Sequence, residues 1–521
     1  MRLFGFLEIR EMKHAPAIQL SLIILLITGS FLACTRDPNV RKQKYFESGQ
    51  RYYQKGKYKE AAIQFTNATQ IDPNFAEAHY QLAQTALKTQ NWNTAYQELD
   101  RTVQLQPDNL LAHLDLANLL IIGREYQQAQ EHIDVVLAKD PRNAQAHSVE
   151  ANLKDRQGDM NGALQEMQKA IELAPGSWDS HLNLALLQVK MNALDAAEAS
   201  FKKAISLNPQ ATSAELALGY FYQQRGRGSE AEQTFRHAMQ IDPKNADPRA
   251  ALARLYLTQG KKTETEQLLK QTKNDLGDNP AAYRMLGDYY FATGDVDKAV
   301  SEYASLYQQH SKDVQVKKNY IQLLILKGRL DEANKLNDEI LKNASADSEA
   351  LIYRGQIQIR QGHPTQAAES LQQTLNSATE NPIAHYHLGV AFDQMGNLAR
   401  AESEWREAVR LNPGLVDARK ALAAAEMRRN DWEALNNTAG HLIETQPGSP
   451  DGYVLRALAE INRGQESKGE GDIRAKGLRA SAGERRERVR RAGRNREHLS
   501  FSKPAAEGDN ANPDATRQTT R

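Results

Sequence analysis

Histidine recurs in this chain at one constant interval, at His79, His113, His147 and His181, and returns in the same register at His385. Imidazole ligates metals and titrates near neutral pH, so metal binding is the first chemistry to weigh. A ladder of side-chain amides has the same spacing: Gln50, Gln84, Asn118 and Asn152, resuming at Gln322 and Gln356. Tyr220, Arg254 and Asp288 hold that register in between. An amide carries both donor and acceptor, so it can bracket the backbone amide of a bound chain. The remaining reactive group is Cys34, the only cysteine, which excludes an intramolecular disulfide and a thiolate zinc cluster.

The elements that position these ladders follow from the helix breakers. Pro73, Pro107, Pro141, Pro175, Pro209 and Pro243 are evenly spaced at the interval of the histidines. Proline interrupts a helix interior and biases the residue before it away from helix, so each marks a helix end followed by a new start. A small residue keeps the register at Gly49, Ala83, Ala117, Ala151, Ala185, Gly219, Ala253, Gly287, Gly355, Gly389, Ala423 and Ala457, with Ile321 as the exception. A side chain kept small at one recurring position implies that another helix crosses close by. A second small series starts at Ala61, with Thr265 and Leu435 departing from it. Between the two lie turns marked by Gly56, Gly158, Gly226, Gly260, Gly294, Gly328, Gly362 and Gly396, where glycine supplies the left-handed conformation that ends a helix. Each unit is thus helix, glycine turn, helix, polar turn. Apolar residues recur at helical spacing within it, as in Leu82, Ala86 and Leu87 and then Tyr96, Leu99 and Val103. One unit cannot bury its apolar face alone; stacking does so. Equivalent positions on stacked units lie about 10 Å apart at helix packing distances, whereas nitrogens sharing one ion lie roughly 2 Å from it. The histidines are therefore expected to pack, with no metal bound.

The pattern resembles the tetratricopeptide repeat (TPR). Leu184-Ala185, Ala197, Phe201, Ala204 and Pro209, followed by Leu218-Gly219, Gly226, Ala231, Phe235, Ala238 and Pro243, carry the likeness. It extends over twelve units, 42–449, and the first helix of a thirteenth, 450–464. Units from 246 to 381 are more degenerate, with Thr272, Leu306, Ile340 and Thr374 where alanine is usual. The resemblance implies an all-α solenoid, a right-handed superhelix of about twelve helical hairpins, whose concave face is lined by the first helix of each unit and binds peptides or proteins. It also implies that Gln50, Gln84, Asn118, Asn152, Tyr220, Arg254, Asp288, Gln322 and Gln356 face that groove. The family usually has an aromatic residue where the histidines stand. Its clamp for chaperone C-terminal carboxylates needs Lys and Asn, which Phe46 and Gln50 of the first unit do not supply.

Both ends depart from the repeat. Residues 17–33 are apolar and uncharged, preceded by Met12-Lys13-His14 and followed by Cys34 and a polar segment. That is the plan of a signal peptide, 1–33, too short for a comfortable membrane span. Residues 1–11 carry Glu8 and Glu11 and add nothing to the signal, which favours Met12 over Met1 as the start. Phe31-Leu32-Ala33-Cys34 resembles a bacterial lipobox, although Phe31 and Leu32 depart from the usual Leu and small residue. The resemblance implies lipidation of Cys34, a short linker over 34–41 and a membrane contact through that lipid. Thr35, in place of aspartate, implies the outer membrane, facing the periplasm. From 465 to 521 there are 14 Lys plus Arg against 9 Asp plus Glu and no apolar periodicity, so this tail is expected to be disordered. It is either a basic arm or the product of a shifted or truncated reading frame. The second is favoured because the break falls inside a repeat, and it leaves Leu455, Leu458 and Ile461 without a packing partner.

The net charge is +1, which gives no case for nucleic acid. Outside the repeats no segment is long enough to bury a catalytic core, and there is no phosphate-cradling glycine loop, HExxH or nucleophile elbow. The expected function is a lipid-anchored scaffold of the bacterial envelope that holds protein or peptide partners, without cofactor or catalysis. The alternatives are a non-catalytic arm of an envelope-processing enzyme such as a glycosyltransferase, and a structural spacer.

Overall fold

The computed structural model describes residues 37–464; the signal segment, Cys34 and the 465–521 tail lie outside the described residues. Among the described residues there are 25 helices and no strand. No helix among them is long and apolar enough to cross a membrane. The chain divides into two compact units, one ending at Thr258 and the other beginning at Gln259. The first holds thirteen described helices, from Pro38–Gln54 to Asp247–Thr258, and the second twelve, from Lys262–Asp275 to Asp451–Asn462. The first helix starts at Pro38, ahead of the expected boundary at 42. Proline suits the opening position, and the Asp37 carboxylate caps it by accepting from the Asn39 amide at 2.9 Å.

All later helices are shorter than this first one, each only three to four turns long. Helices this short are marginal alone, so packing must stabilise them. In each unit the first helix of a hairpin packs on the second, and the second on the next first helix. First helices also touch first helices, as Leu110–Gly123 does Ala144–Gln157, and Ser348–Arg360 does Pro382–Gln394. That side of each stack is the more crowded, and the first helices line it.

Size complementarity sets the hairpins. A Cβ at Gly49 would lie 2.5 Å from Phe65, at Gly287 2.6 Å from Tyr303 and at Gly355 2.7 Å from Leu371, always at the same offset along the chain. Where the first position is Ala83, Ala117 or Ala151, the residue at that offset is the buried Leu99, Ile133 or Met167, while Ala185 departs from the rule with buried Phe201. The exception noted above obeys the same rule in reverse: buried Ile321 is followed by buried Asn337, whose Nδ2 donates to the Ala350 carbonyl at 2.9 Å.

The turns are enforced more strongly than glycine alone suggests. Gly56, Gly158 and Gly226 have φ between 69° and 87°, and Gln90, Arg124, Asn192 and Asn430 adopt φ of 57° to 66° at the same register. Asparagine tolerates this conformation, but at Gln90 and Arg124 hairpin packing imposes the left-handed turn on residues that resist it. One expectation is corrected at the far end for Leu458, while Leu455 and Ile461 stay partly exposed. Leu458 is buried with Ala423, Met427 and Leu435, and Leu455 and Ile461 are partly covered beside it, because Trp432–Thr445 covers the last helix.

Candidate protein-binding groove

The histidine ladder joins elements within the stack. His79 Nδ1 meets Glu98 Oε2 at 2.5 Å and its Nε2 donates to the Pro73 carbonyl at 3.1 Å. His147 repeats this with Glu166 at 2.8 Å and Pro141 at 3.1 Å. His385 does so with Glu404 at 2.6 Å and Thr379 at 3.1 Å. His181 keeps only the carbonyl contact, with Pro175 at 3.4 Å. The imidazole therefore clips the first helix both to the second helix of its hairpin and to the preceding turn. The sequence pointed to packing; it did not show the paired acceptors, one on the following helix and one in the preceding turn.

In the third hairpin the carboxylate is replaced by a second imidazole. His113 Nδ1 lies 2.8 Å from His132 Nδ1, while His113 Nε2 donates to the Pro107 carbonyl at 3.2 Å. His113 Nδ1 is then the acceptor and His132 the donor. Burial pushes both rings below the ordinary histidine value, with nearby Lys139 adding to the effect at His113 and the neighbouring imidazole to that at His132.

A group with metal-ligand types does form, within one hairpin rather than between hairpins: His147, Glu150 and Glu166 have ligand atoms within 4.8 Å of one another. Lys154 Nζ lies 3.1 Å from Glu150 and 3.2 Å from Glu166, so an ammonium already occupies the cation's place. Burial alone would raise the Glu166 carboxyl, but the bonds from His147 and Lys154 hold it below its usual value.

The amide ladder splits into two groups. Three members are tied to the neighbouring repeat. Gln84 Nε2 donates to Asp115 Oδ2 at 2.6 Å, and the Tyr80 hydroxyl donates to the same oxygen at 2.9 Å. Gln356 Nε2 lies 2.9 Å from His387 Nε2. Asp288 accepts from the Tyr303 hydroxyl and from Asn319 Nδ2 at 3.2 Å. The others are less engaged. Gln50 is half-buried, and Arg254 and Gln322 are exposed. Asn118, Asn152 and Tyr220 come together, lining one cavity of about 790 Å³ in the unit ending at Thr258.

That cavity follows the repeat register. Asn118, Asn152, Leu186 and Tyr220 recur at the repeat interval, as do Ile122, Arg156, Lys190 and Gln224 one helical turn on, and all eight line it. The first four immediately follow the small residues of the first helices, so close helix approach and groove lining are two faces of one periodicity. Asn118 and Asn152 are half-buried and make no side-chain hydrogen bond among the described residues. Ile122, Leu186 and Tyr220 are 66%, 45% and 37% exposed, an open apolar surface within the concavity. Asp155 Oδ2 holds Lys190 Nζ at 2.5 Å, whereas Arg156 is exposed and has no ion-pair partner among the described residues. Leu186 and Ile122 were missed by reading for amides. For Leu186, a large apolar residue directly after a small one on a first helix was the available signal.

Matches to family models follow the repeat. Family models described as tetratricopeptide repeats match residues 90–153, 156–213, 222–288 and 290–356, and residues 352–416; a TPR repeat model matches 49–90. No curated protein matches the chain. Similar solved structures include the APC/C hetero-tetramer Cut9–Hcn1, 14% identical over 89% of this chain and 98% of that one, with a TM-score of 0.37. Yeast Tom70 is 14% identical over 85% of this chain and 100% of that one, with a TM-score of 0.41. A MamA fragment from Desulfovibrio magneticus RS-1 is 22% identical over 33% of this chain and 97% of that one, with a TM-score of 0.29.

Proposed function

The chain belongs to the tetratricopeptide repeat family, and from that premise we propose that it is a lipid-anchored scaffold that holds partner proteins in the groove of its first helices. The observation that carries the binding role is the cavity between Asn118 and Tyr220, where unengaged amides and open apolar side chains recur at one register position on successive repeats. Groups left half-buried and unpaired in a concave surface gain most from a ligand that supplies donors, acceptors and apolar area together.

The anchoring part of the proposal rests on residues 17–34. An apolar, uncharged run that ends at the only cysteine supports lipidation of Cys34, and Thr35 supports delivery to the outer membrane, facing the periplasm. Mass spectrometry of the mature N-terminus tests it. A diacylated or triacylated Cys34 is expected; an intact Met1 or Met12 would contradict it. Affinity purification of the full chain from detergent-solubilised membranes, followed by mass spectrometry, tests the scaffold role. A partner lost from a Leu186→Asp variant that folds normally is expected, and a partner retained by it would count against the groove.

A further inference from the structure

We propose that the outer face of Pro38–Gln54 lies flat on an anionic phospholipid bilayer, docking the first hairpin on the membrane. This rests on the anchoring at Cys34 given above and adds a second membrane contact, made by the folded repeats.

The face is defined by its counterparts in later repeats. Each later first helix packs on the second helix of the hairpin before it. Lys44 is exposed, whereas Ala78, Ala112 and Ala146 at the same register are fully buried. Arg51 is exposed, whereas Thr85 and Leu153 are fully buried. All these helices have a partner within their own hairpin, so the preceding hairpin is what covers that register. Ahead of Pro38–Gln54 no described element supplies the cover. Cations stand where a neighbouring repeat would need small or apolar side chains, so this face is suited to something other than another repeat.

Four cations form one line on it. Arg41, Lys44 and Arg51 recur at helical spacing along the helix, and Lys55 follows at its C-cap. All four are exposed, and none has an ion-pair partner among the described residues. Lys42, by contrast, pairs with Asp72 at 2.5 Å. The acidic groups of this stretch are engaged locally: Asp37 caps the helix, and Glu47, beside the line, accepts from Gln43 Nε2 at 3.2 Å. An end cap that only keeps the stack soluble needs polarity of either sign; a single sign selects an anionic partner. A second copy meeting the same face would oppose like charges. Cys34 precedes the helix by four residues, a reach of at most about 14 Å. A lipid there holds the start of the line beside the headgroups, and the helix, 17 residues and about 25 Å long, brings all four cations to them only by lying flat. Half-buried Tyr45 and Tyr52 flank the line, and tyrosine rings settle at the headgroup level. Attraction of basic side chains to anionic lipid accumulates residue by residue.

The test uses the full chain with a fluorescent amino acid in place of exposed Glu47 or, as a control, of exposed Gln97 on a second helix. Each protein is reconstituted into vesicles carrying nitroxide-labelled headgroups, made of phosphatidylcholine with or without phosphatidylglycerol. Quenching at position 47 is expected on the phosphatidylglycerol vesicles, falling roughly fivefold or more without that lipid, with little at position 97. Replacing the four cations together, as Arg41→Gln, Lys44→Gln, Arg51→Gln and Lys55→Gln, should remove the same part of the quenching while circular dichroism stays unchanged. Quenching equal on the two lipids, equal at the two positions, or retained by the substituted chain would overturn the proposal. A probe at position 47 already shielded from a water-soluble quencher in detergent, before any vesicle is present, would assign the face to a protein contact and overturn it too. Reconstitution succeeds whether a lipid on Cys34 or residues 17–33 holds the chain, so an unmodified Cys34 in the mass spectrum overturns the lipid anchor and leaves this readout standing. A chain that the vesicles never retain would overturn both.

Discussion

Gly389→Ala probes the size rule that sets the hairpins. A Cβ at Gly389 would meet Trp405 Nε1, lie 2.6 Å from Trp405 Cδ1 and 3.0 Å from the Ala401 carbonyl oxygen. The backbone cannot yield cheaply, so the indole must move, and it is pinned: Trp405 is 2% exposed and its Nε1–H donates to the Tyr386 carbonyl at 3.1 Å. Overpacking costs about 1–3 kcal/mol, and loss of a buried hydrogen bond adds about 1 kcal/mol. Replacing glycine by alanine inside a helix returns about 1 kcal/mol. The net destabilisation is about 1–3 kcal/mol, which is roughly five- to 150-fold in a local opening equilibrium. Repeat arrays open by segments, so the assay is hydrogen exchange of peptides within 382–411. The double variant Gly389→Ala/Trp405→Leu recreates the Ala83 and Leu99 pairing of the second repeat and should be more protected than the sum of its single variants by about 1 kcal/mol or more. A Gly389→Ala protein as protected as the parent, or strictly additive variants, would refute the reasoning.

Three further outcomes follow. Arg124 holds a left-handed conformation at φ 66°, so Arg124→Gly should stabilise its hairpin by up to about 1 kcal/mol in denaturant unfolding; a loss of that size would mean the turn is not imposed. His113 and His132 are held below 6.5, the ordinary value, so the folded state resists their protonation while the unfolded state accepts it. Stability at residues 110–139 is complete above pH 6.5 and falls as pH drops below it, opposed by the Pro107 carbonyl at His113 and by Asp100 and Glu131 near His132. His132→Glu restores the pairing seen at His79 and should abolish the fall, read by exchange corrected for intrinsic rates. Glu426 behaves in the opposite sense. Burial, with Asp431 and Glu402 nearby, raises its carboxyl to about 7 despite the bond from Thr438. The folded state favours the protonated form, so stability there is complete below pH 4.5 and declines as pH rises towards 7. Glu426→Gln should remove that slope, and an unchanged slope would assign it elsewhere.

The hairpin architecture was legible because its causes are local and repeated. Proline ends a helix wherever it stands, and the small residue records a close crossing in nearly every unit. The Gln90 and Arg124 turns were not legible, because tertiary packing overrides their own preference, whereas Asn192 and Asn430 are residues that tolerate the left-handed turn. The groove was only half legible. Register placed Asn118, Asn152 and Tyr220 in one series, and they line one cavity, but whether a side chain is unengaged depends on what the adjacent repeat places opposite it. Asp115 engages Gln84 and His387 engages Gln356, and neither pairing has a sequence signature. Searching for amides also hid Leu186 and Ile122, whose apolar character is informative only because they are exposed.

Groove binding is tested most directly by photo-crosslinking in the native cell. A photoreactive amino acid replaces Tyr220 inside the concavity or, in a second strain, Trp92, which is half-exposed on a second helix. The expected result is a discrete protein adduct from position 220 that is absent from position 92. Adducts from position 92 alone, or from neither position, would contradict the claim that the first-helix groove holds the partner.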